Sequence, residues 1–203
     1  GEPVPSSPLG AWTLWERDLL LVSARCSSPF PDGEVRFAED REGPPSRAYL
    51  KLWETFTLLG EYPVPGQTCL DLGSSPGGWT WVLARTGARV ISVDKAALAP
   101  EVAALPGVDF RRGSGFGLTP SDVGRVDWLC SDMACYPERL LRAVRRWLDA
   151  GTAARFVCTL KFQGETDHEI ARAFAALPYS RLMHLSCNRH ELTWVCRLPT
   201  RTK

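Results

Sequence analysis

An excess of charge of one sign is missing from this sequence: 24 Lys and Arg against 23 Asp and Glu leave a formal charge of +1. A domain that holds nucleic acid by its overall field would be strongly basic. Any such grip must therefore come from a local basic surface or from another domain. No apolar run is long enough to span a bilayer, and no signal-peptide pattern is present, so a membrane partner is not expected. There is no C-x-x-C, and the seven cysteines are odd in number and irregular in spacing. That argues against a disulfide scaffold or a zinc site and suits a reducing compartment, taken as the cytoplasm. Cys69, Cys130, Cys158 and Cys196 sit inside apolar runs, where a thiol behaves as a small hydrophobe. His184 and His190 show no metal spacing, and no metal is expected. Repeats and low-complexity tracts are also lacking. What remains is ordinary globular composition, 44% hydrophobic and 23% charged, over 203 residues, enough for one α/β domain.

Two regions differ in character. Residues 1–45 read as an appendage or linker, or as the end of a separate RNA-binding domain. It holds a hairpin (Ala11–Trp15 and Leu19–Ala24 around Glu16–Arg17–Asp18), then a Pro- and Gly-rich stretch around a short Val35–Phe37 strand. Residues 46–203 alternate helix and strand, the mark of a parallel α/β sheet. Ser46 is the expected N-cap of a helix in which Tyr49, Leu52, Trp53, Phe56 and Leu59 recur at helical spacing and Gly60 ends the run. Strands follow at Thr68–Leu72, Val90–Val93, Val108–Phe110, Val126–Cys130 and Phe156–Leu160. Helices carry the apolar faces of Leu140, Leu141, Val144, Trp147 and Leu148, and of Ile170, Phe174 and Leu177. Two strands in direct succession, Arg181–Ser186 and Leu192–Leu198, predict an antiparallel insertion at the sheet's end.

The densest signal is Asp71-Leu72-Gly73-Ser74-Ser75-Pro76-Gly77-Gly78-Trp79-Thr80. A buried strand runs into a glycine turn that opens a helix, which lets a ligand approach the backbone at the sheet edge. Asp94 ends the next strand, 23 residues after Asp71, where a carboxylate usually grips a nucleoside ribose. The turn is not G-x-G-x-x-G, so a sulfonium nucleoside, which has no phosphates, suits it better than a dinucleotide. The plain alternatives are a tight turn and a capping aspartate.

At these residues the chain resembles the FtsJ-type RNA 2′-O-ribose methyltransferases. The likeness rests on Ser46–Leu52, Asp71–Thr80, Ser131-Asp132-Met133, Leu160-Lys161 and Glu191. It is nearest to the bacterial large-subunit ribosomal RNA methyltransferase M family, which methylates a cytidine ribose in 23S rRNA, and runs from Ser46 to about Leu198. The resemblance implies a Rossmann-like class I fold: a mostly parallel seven-stranded sheet with an antiparallel C-terminal strand and helices on both faces. It implies S-adenosylmethionine as cofactor, bound by Ser46, Asp71, Gly73, Ser75, Pro76, Gly77, Gly78, Trp79, Asp94, Ser114 and Asp132. It implies a catalytic set of Lys51, Asp132, Lys161 and Glu191, with RNA, 23S rRNA in particular, as partner and a monomeric enzyme. Ser114 departs from the pattern, because the family usually has an acid there that contacts the adenine. Lys161, just past the fifth strand, is the expected general base. A lysine base must be neutral, a state that desolvation and a second cation, here Lys51, both favour.

Each of the four has a duller reading: Lys51 paired with Glu54 at i+3, Lys161 on the surface, Asp132 as a cap, Glu191 as an edge charge. The Asn/Asp-Pro-Pro-Tyr motif of amine methylation is absent, as is the Pro-Cys pair of C5-cytosine methylation. Arg139, Arg142 and Arg146 share a helical face that is either solvated or phosphate-contacting, while some of Arg111, Arg112, Arg189 and Arg197 are expected nearer the functional edge. Two other functions compete: a catalytically weak RNA- or ribosome-binding module, and a small-molecule O-methyltransferase.

Overall fold

The computed structural model describes residues 10–28, 30 and 35–199. The chain divides into two units, Gly1–Glu39 and Asp40–Lys203. In the first, β1 (Ala11–Glu16) pairs antiparallel with β2 (Leu19–Ser23), and every residue of both strands is exposed. Val35–Phe37 is not a strand, because no partner ladder forms beside it among the described residues. Pro29, Pro31, Asp32 and Gly33 of the expected linker lie outside the described residues.

The second unit opens with α1 (Tyr49–Leu59), closed by Gly60 in the left-handed conformation. Ser46 does not cap it: Ala48 holds the N-cap position, with no side-chain bond. The chain continues through β3 (Thr68–Leu72), α2 (Gly78–Arg85), β4 (Arg89–Asp94), α3 (Pro100–Ala103), β5 (Val108–Arg112), α4 (Pro120–Val123) and β6 (Val126–Ser131). It ends with α5 (Pro137–Ala150), β7 (Ala153–Lys161), α6 (His168–Ala175), β8 (Ser180–Met183) and β9 (Glu191–Arg197). The single turns α3 and α4 were not legible as helices. Each starts with proline at its first position, and Thr119 and Asp122 close a capping box around α4.

The sheet order is β5-β4-β3-β6-β7-β9-β8. Strands β3 to β7 run parallel, and β9 slots antiparallel between β7 and β8. The expected seven-stranded Rossmann-like sheet is therefore present. Its final hairpin is shorter than the apolar runs suggested, because the chain leaves β8 at Met183 and turns through 184–190 before β9. Strand order reverses between β3 and β6, so their carboxyl ends flank a crevice.

Leu129 of β6 packs into the main core with α5 and α6, while neighbouring Trp128 stacks edge-on against Phe56 of α1, at 5.4 Å. Alternation along one strand thus puts helices on both faces. Helix α5 carries Leu140, Leu141, Val144 and Trp147 inward, and Trp147 is 1% exposed. Trp147→Ala is expected to destabilise the fold by about 3–5 kcal/mol, read as a lowered midpoint in urea unfolding. The four strand cysteines, Cys69, Cys130, Cys158 and Cys196, are buried thiols in this packing.

Candidate active site

Outside the carboxyl ends of β3, β4 and β6 lies a cavity of about 480 Å³. Its lining takes in most of the expected cofactor set: Ser46, Asp71, Gly73, Ser75, Pro76, Gly78, Trp79, Asp94, Ser114 and Asp132. Gly77 is not on the wall; its φ of +120° turns the chain into α2, and a Cβ there would meet Val102 Cγ1 at 2.8 Å. Ser46 earns its place by a different route from capping. Its Oγ would lie 2.6 Å from a Cβ on Gly78, so the missing side chain lets the segment before α1 close onto the turn.

The two acids behave differently. Asp94 accepts from the Ser75 amide (3.0 Å) and the Ala96 amide (2.9 Å), so it knits the turn to the loop after β4. Asp71 is 1% exposed, and its Oδ2 accepts from the Thr80 hydroxyl at 2.7 Å, which in turn meets Ser92 Oγ at 2.7 Å. Its Oδ1 has no hydrogen-bond partner among the described residues, yet the residue lines the cavity. Burial pushes the Asp71 carboxyl up to about 7.

Beside this cavity the structure brings together all four expected catalytic residues. Lys51 Nζ, from α1, lies 2.6 Å from Glu191 Oε1 of β9 and 3.3 Å from Asp132 Oδ1, just past β6. Lys161 Nζ, at the end of β7, lies 3.1 Å from the same Asp132 oxygen and donates to the Asp132 carbonyl at 2.5 Å. Asp132 therefore bridges the two lysines. Register explains the fourth member, since Lys161 and Glu191 are opposite one another in the β7–β9 ladder. Burial pushes the Lys51 ammonium down, but Asp132 and Glu191 outweigh it and hold the group above the ordinary lysine range. Lys161 and Asp132 line the cavity, whereas Lys51 and Glu191 stand behind them. The i+3 reading of Lys51 fails: Glu54 is turned to the segment before β9 instead.

Among the arginines, Arg139 lies over the Phe116 ring at 3.9 Å on the cavity rim. Arg146 is not part of a free stripe, because its Nη2 donates to the carbonyls of Phe116 (3.0 Å) and Leu118 (2.8 Å). Arg112 reaches the Lys95 carbonyl, and Arg111 pairs with Asp109. Arg197 is at the other edge of the sheet, opposite Arg155 and paired with Glu61. Phe116, Met133 and Arg139 line the cavity but were not singled out from sequence as cofactor contacts; Met133 stands in a motif that carries the family resemblance, and Phe116 lies two residues beyond the position usually held by an acid.

A family model of FtsJ-like methyltransferases matches residues 44–188. The chain belongs to that family. Ribosomal RNA large subunit methyltransferase M of Alkalilimnicola ehrlichii is 40% identical over 148 residues, covering 70% of this chain and 40% of the relative. The chain spans about two fifths of the length of the curated relatives it matches. Solved structures share the fold: Aeropyrum pernix fibrillarin, crystallised with natively bound S-adenosyl-L-methionine, superimposes with a TM-score of 0.52 at 18% identity, covering 73% of this chain and 75% of that one. A Streptococcus thermophilus protein provisionally named a hemolysin gives 0.63 at 18% identity, covering 80% and 70%. At such identities the likeness is one of fold. The FtsJ-like assignment rests on the family match and on the curated relatives.

Proposed function

We propose that this chain is the catalytic domain of an S-adenosylmethionine-dependent RNA 2′-O-ribose methyltransferase acting on large-subunit ribosomal RNA, with a cytidine ribose of 23S rRNA as target. The observation that carries the reading is the Asp132 bridge between Lys51 and Lys161, set beside a cavity with an unpartnered buried carboxylate oxygen. The residues present fit the cofactor. Asp71 Oδ1 is a buried acceptor suited to an ammonium, the glycine turn leaves backbone exposed to a ligand, and Asp94 offers a carboxylate at the ribose end. Ser114 and Phe116 bound the remaining wall, where no carboxylate comes from position 114.

When bound, the cofactor supplies an already activated sulfonium methyl. The protein must then align a ribose hydroxyl and remove its proton. Of the two lysines, Lys51 is held as a cation by two carboxylates, and Lys161 faces the cavity. Lys161 is therefore the amine that takes the hydroxyl proton, with Asp132 fixing its direction. Glu191 and Lys51 hold Asp132 from behind. No helix among the described residues is long and apolar enough to cross a membrane. A cytoplasmic, metal-free monomer completes the proposal. With a formal charge of +1, much of the RNA grip comes from outside the catalytic domain, which begins at residue 46 with residues 1–45 as its appendage.

Incubation with labelled S-adenosylmethionine and unmodified 23S rRNA is expected to place the label on a ribose 2′-oxygen, shown by resistance of the adjacent phosphodiester to alkali. Label on a base would overturn the reaction type. Avid RNA binding without cofactor binding would favour a non-catalytic module.

A further inference from the structure

Glu54 lies on α1 one turn beyond Lys51 and is 4% exposed. Among the described residues no ion pair offsets it; three neutral donors do. Oε1 accepts from the Ser186 amide at 2.8 Å and from the Ser186 hydroxyl at 2.6 Å, and the Cys187 thiol meets Oε2 at 3.4 Å. These donors come from more than 130 positions along the chain, in the turn between β8 and β9. That turn is itself built: Leu185 is fully buried, the Asn188 amide donates to the Leu185 carbonyl at 3.0 Å, and Asn188 Nδ2 reaches Thr193. Three residues later it delivers Glu191, whose Oε1 lies 2.6 Å from Lys51.

A buried carboxylate without its donors carries a large desolvation cost, so this arrangement is specified by its partners. An aliphatic residue would fill the space on α1 without the cost. The acid does something that space-filling cannot: it locks the helix bearing Lys51 to the segment bearing Glu191, by directional bonds.

We infer that Glu54 is a positioning residue of the methyl-transfer site, a brace that sets the distance between Lys51 and Glu191 and through them the aim of Asp132 and Lys161. The role in transfer rests on the proposed function; the brace itself does not. Glu54 touches neither the cavity wall nor the reacting groups. Its loss should therefore act on turnover and leave cofactor affinity alone.

Three variants test this: Glu54→Ala, Glu54→Gln and the double Ser186→Ala/Cys187→Ala. Glu54→Ala is expected to lower kcat on 23S rRNA by roughly ten- to a hundred-fold, the scale of a small misplacement of reacting groups. The Kd for S-adenosylmethionine should stay within about two-fold, since catalytic alignment and cofactor binding use different residues. Glu54→Gln keeps the Oε1 acceptor and should restore most of kcat. Hydrogen exchange at amides 186–191 should quicken in Glu54→Ala and stay slow in Glu54→Gln. The double variant keeps Glu54 and should reproduce the kcat loss, which covers the case in which Glu54→Ala does not fold. Unchanged kcat in the double variant, or equal losses of kcat and cofactor affinity, would overturn the brace. Should the wild-type chain transfer no methyl to RNA, the functional proposal fails alone, and the exchange rates still decide whether Glu54 holds the turn.

Discussion

Lys161→Ala is expected to lower methyl transfer by about a hundred- to ten-thousand-fold, the range a positioned proton acceptor contributes. Cofactor affinity should change little, because the acceptors offered to the cofactor come from the β3 and β4 ends and not from β7. Lys161→Arg should fare no better: a guanidinium keeps the charge near Asp132 but cannot take a proton at neutral pH. The measurement is single-turnover transfer to 23S rRNA alongside calorimetric titration of S-adenosylmethionine. Full activity in Lys161→Ala would remove the lysine-base mechanism, since Lys51 is already committed to two carboxylates.

Asp71→Asn should weaken S-adenosylmethionine binding by roughly ten- to a hundred-fold, the scale of one lost charge-assisted hydrogen bond in a buried setting. The effect should also carry a pH signature. Burial lifts the Asp71 carboxyl from its ordinary 3.8 to about 7. Between those values the folded chain holds a proton that the unfolded chain has released. The contribution of Asp71 to stability therefore falls as pH rises from about 4 to about 7 in the absence of cofactor. Binding an ammonium requires the anion, so cofactor affinity should rise over the upper part of that window and level off above it. Calorimetry from pH 6 to 8 reads the slope, and Asp71→Asn should flatten it. A pH-independent affinity in the wild-type chain would mean that Asp71 does not face the ammonium.

The parallel sheet and the cofactor turn were legible because each announces itself locally. Apolar strands are bounded by turn residues, and a Pro-Gly-Gly element sits where a strand must become a helix. The tetrad was legible only as an ordered set, since no one of Lys51, Asp132, Lys161 and Glu191 distinguishes itself from a surface charge. Glu54 shows why. Its spacing from Lys51 suggests a helical ion pair, but the donors that claim it belong to a turn far along the chain. Ser46 misled in the same way: a serine after two prolines looks like a cap until Gly78 comes close enough to explain it. Arg146 sits at the spacing of a solvated stripe and is instead recruited by two loop carbonyls. In each case a tertiary partner overrode a local preference, and local preference is all that periodicity reports.

Strand β9 enters the sheet between β7 and β8, so the last strand among the described residues completes a site whose first member stands on the first helix described. A ribosome making this domain therefore emits the whole cavity wall, with Lys51, Asp132 and Lys161, before Glu191 can join them. A product cut short before Glu191 would retain every residue of the cavity wall and lack the far end of the tetrad. On the proposed mechanism, transfer therefore waits on a contact between two segments about 140 positions apart, Lys51 on α1 and Glu191 on β9.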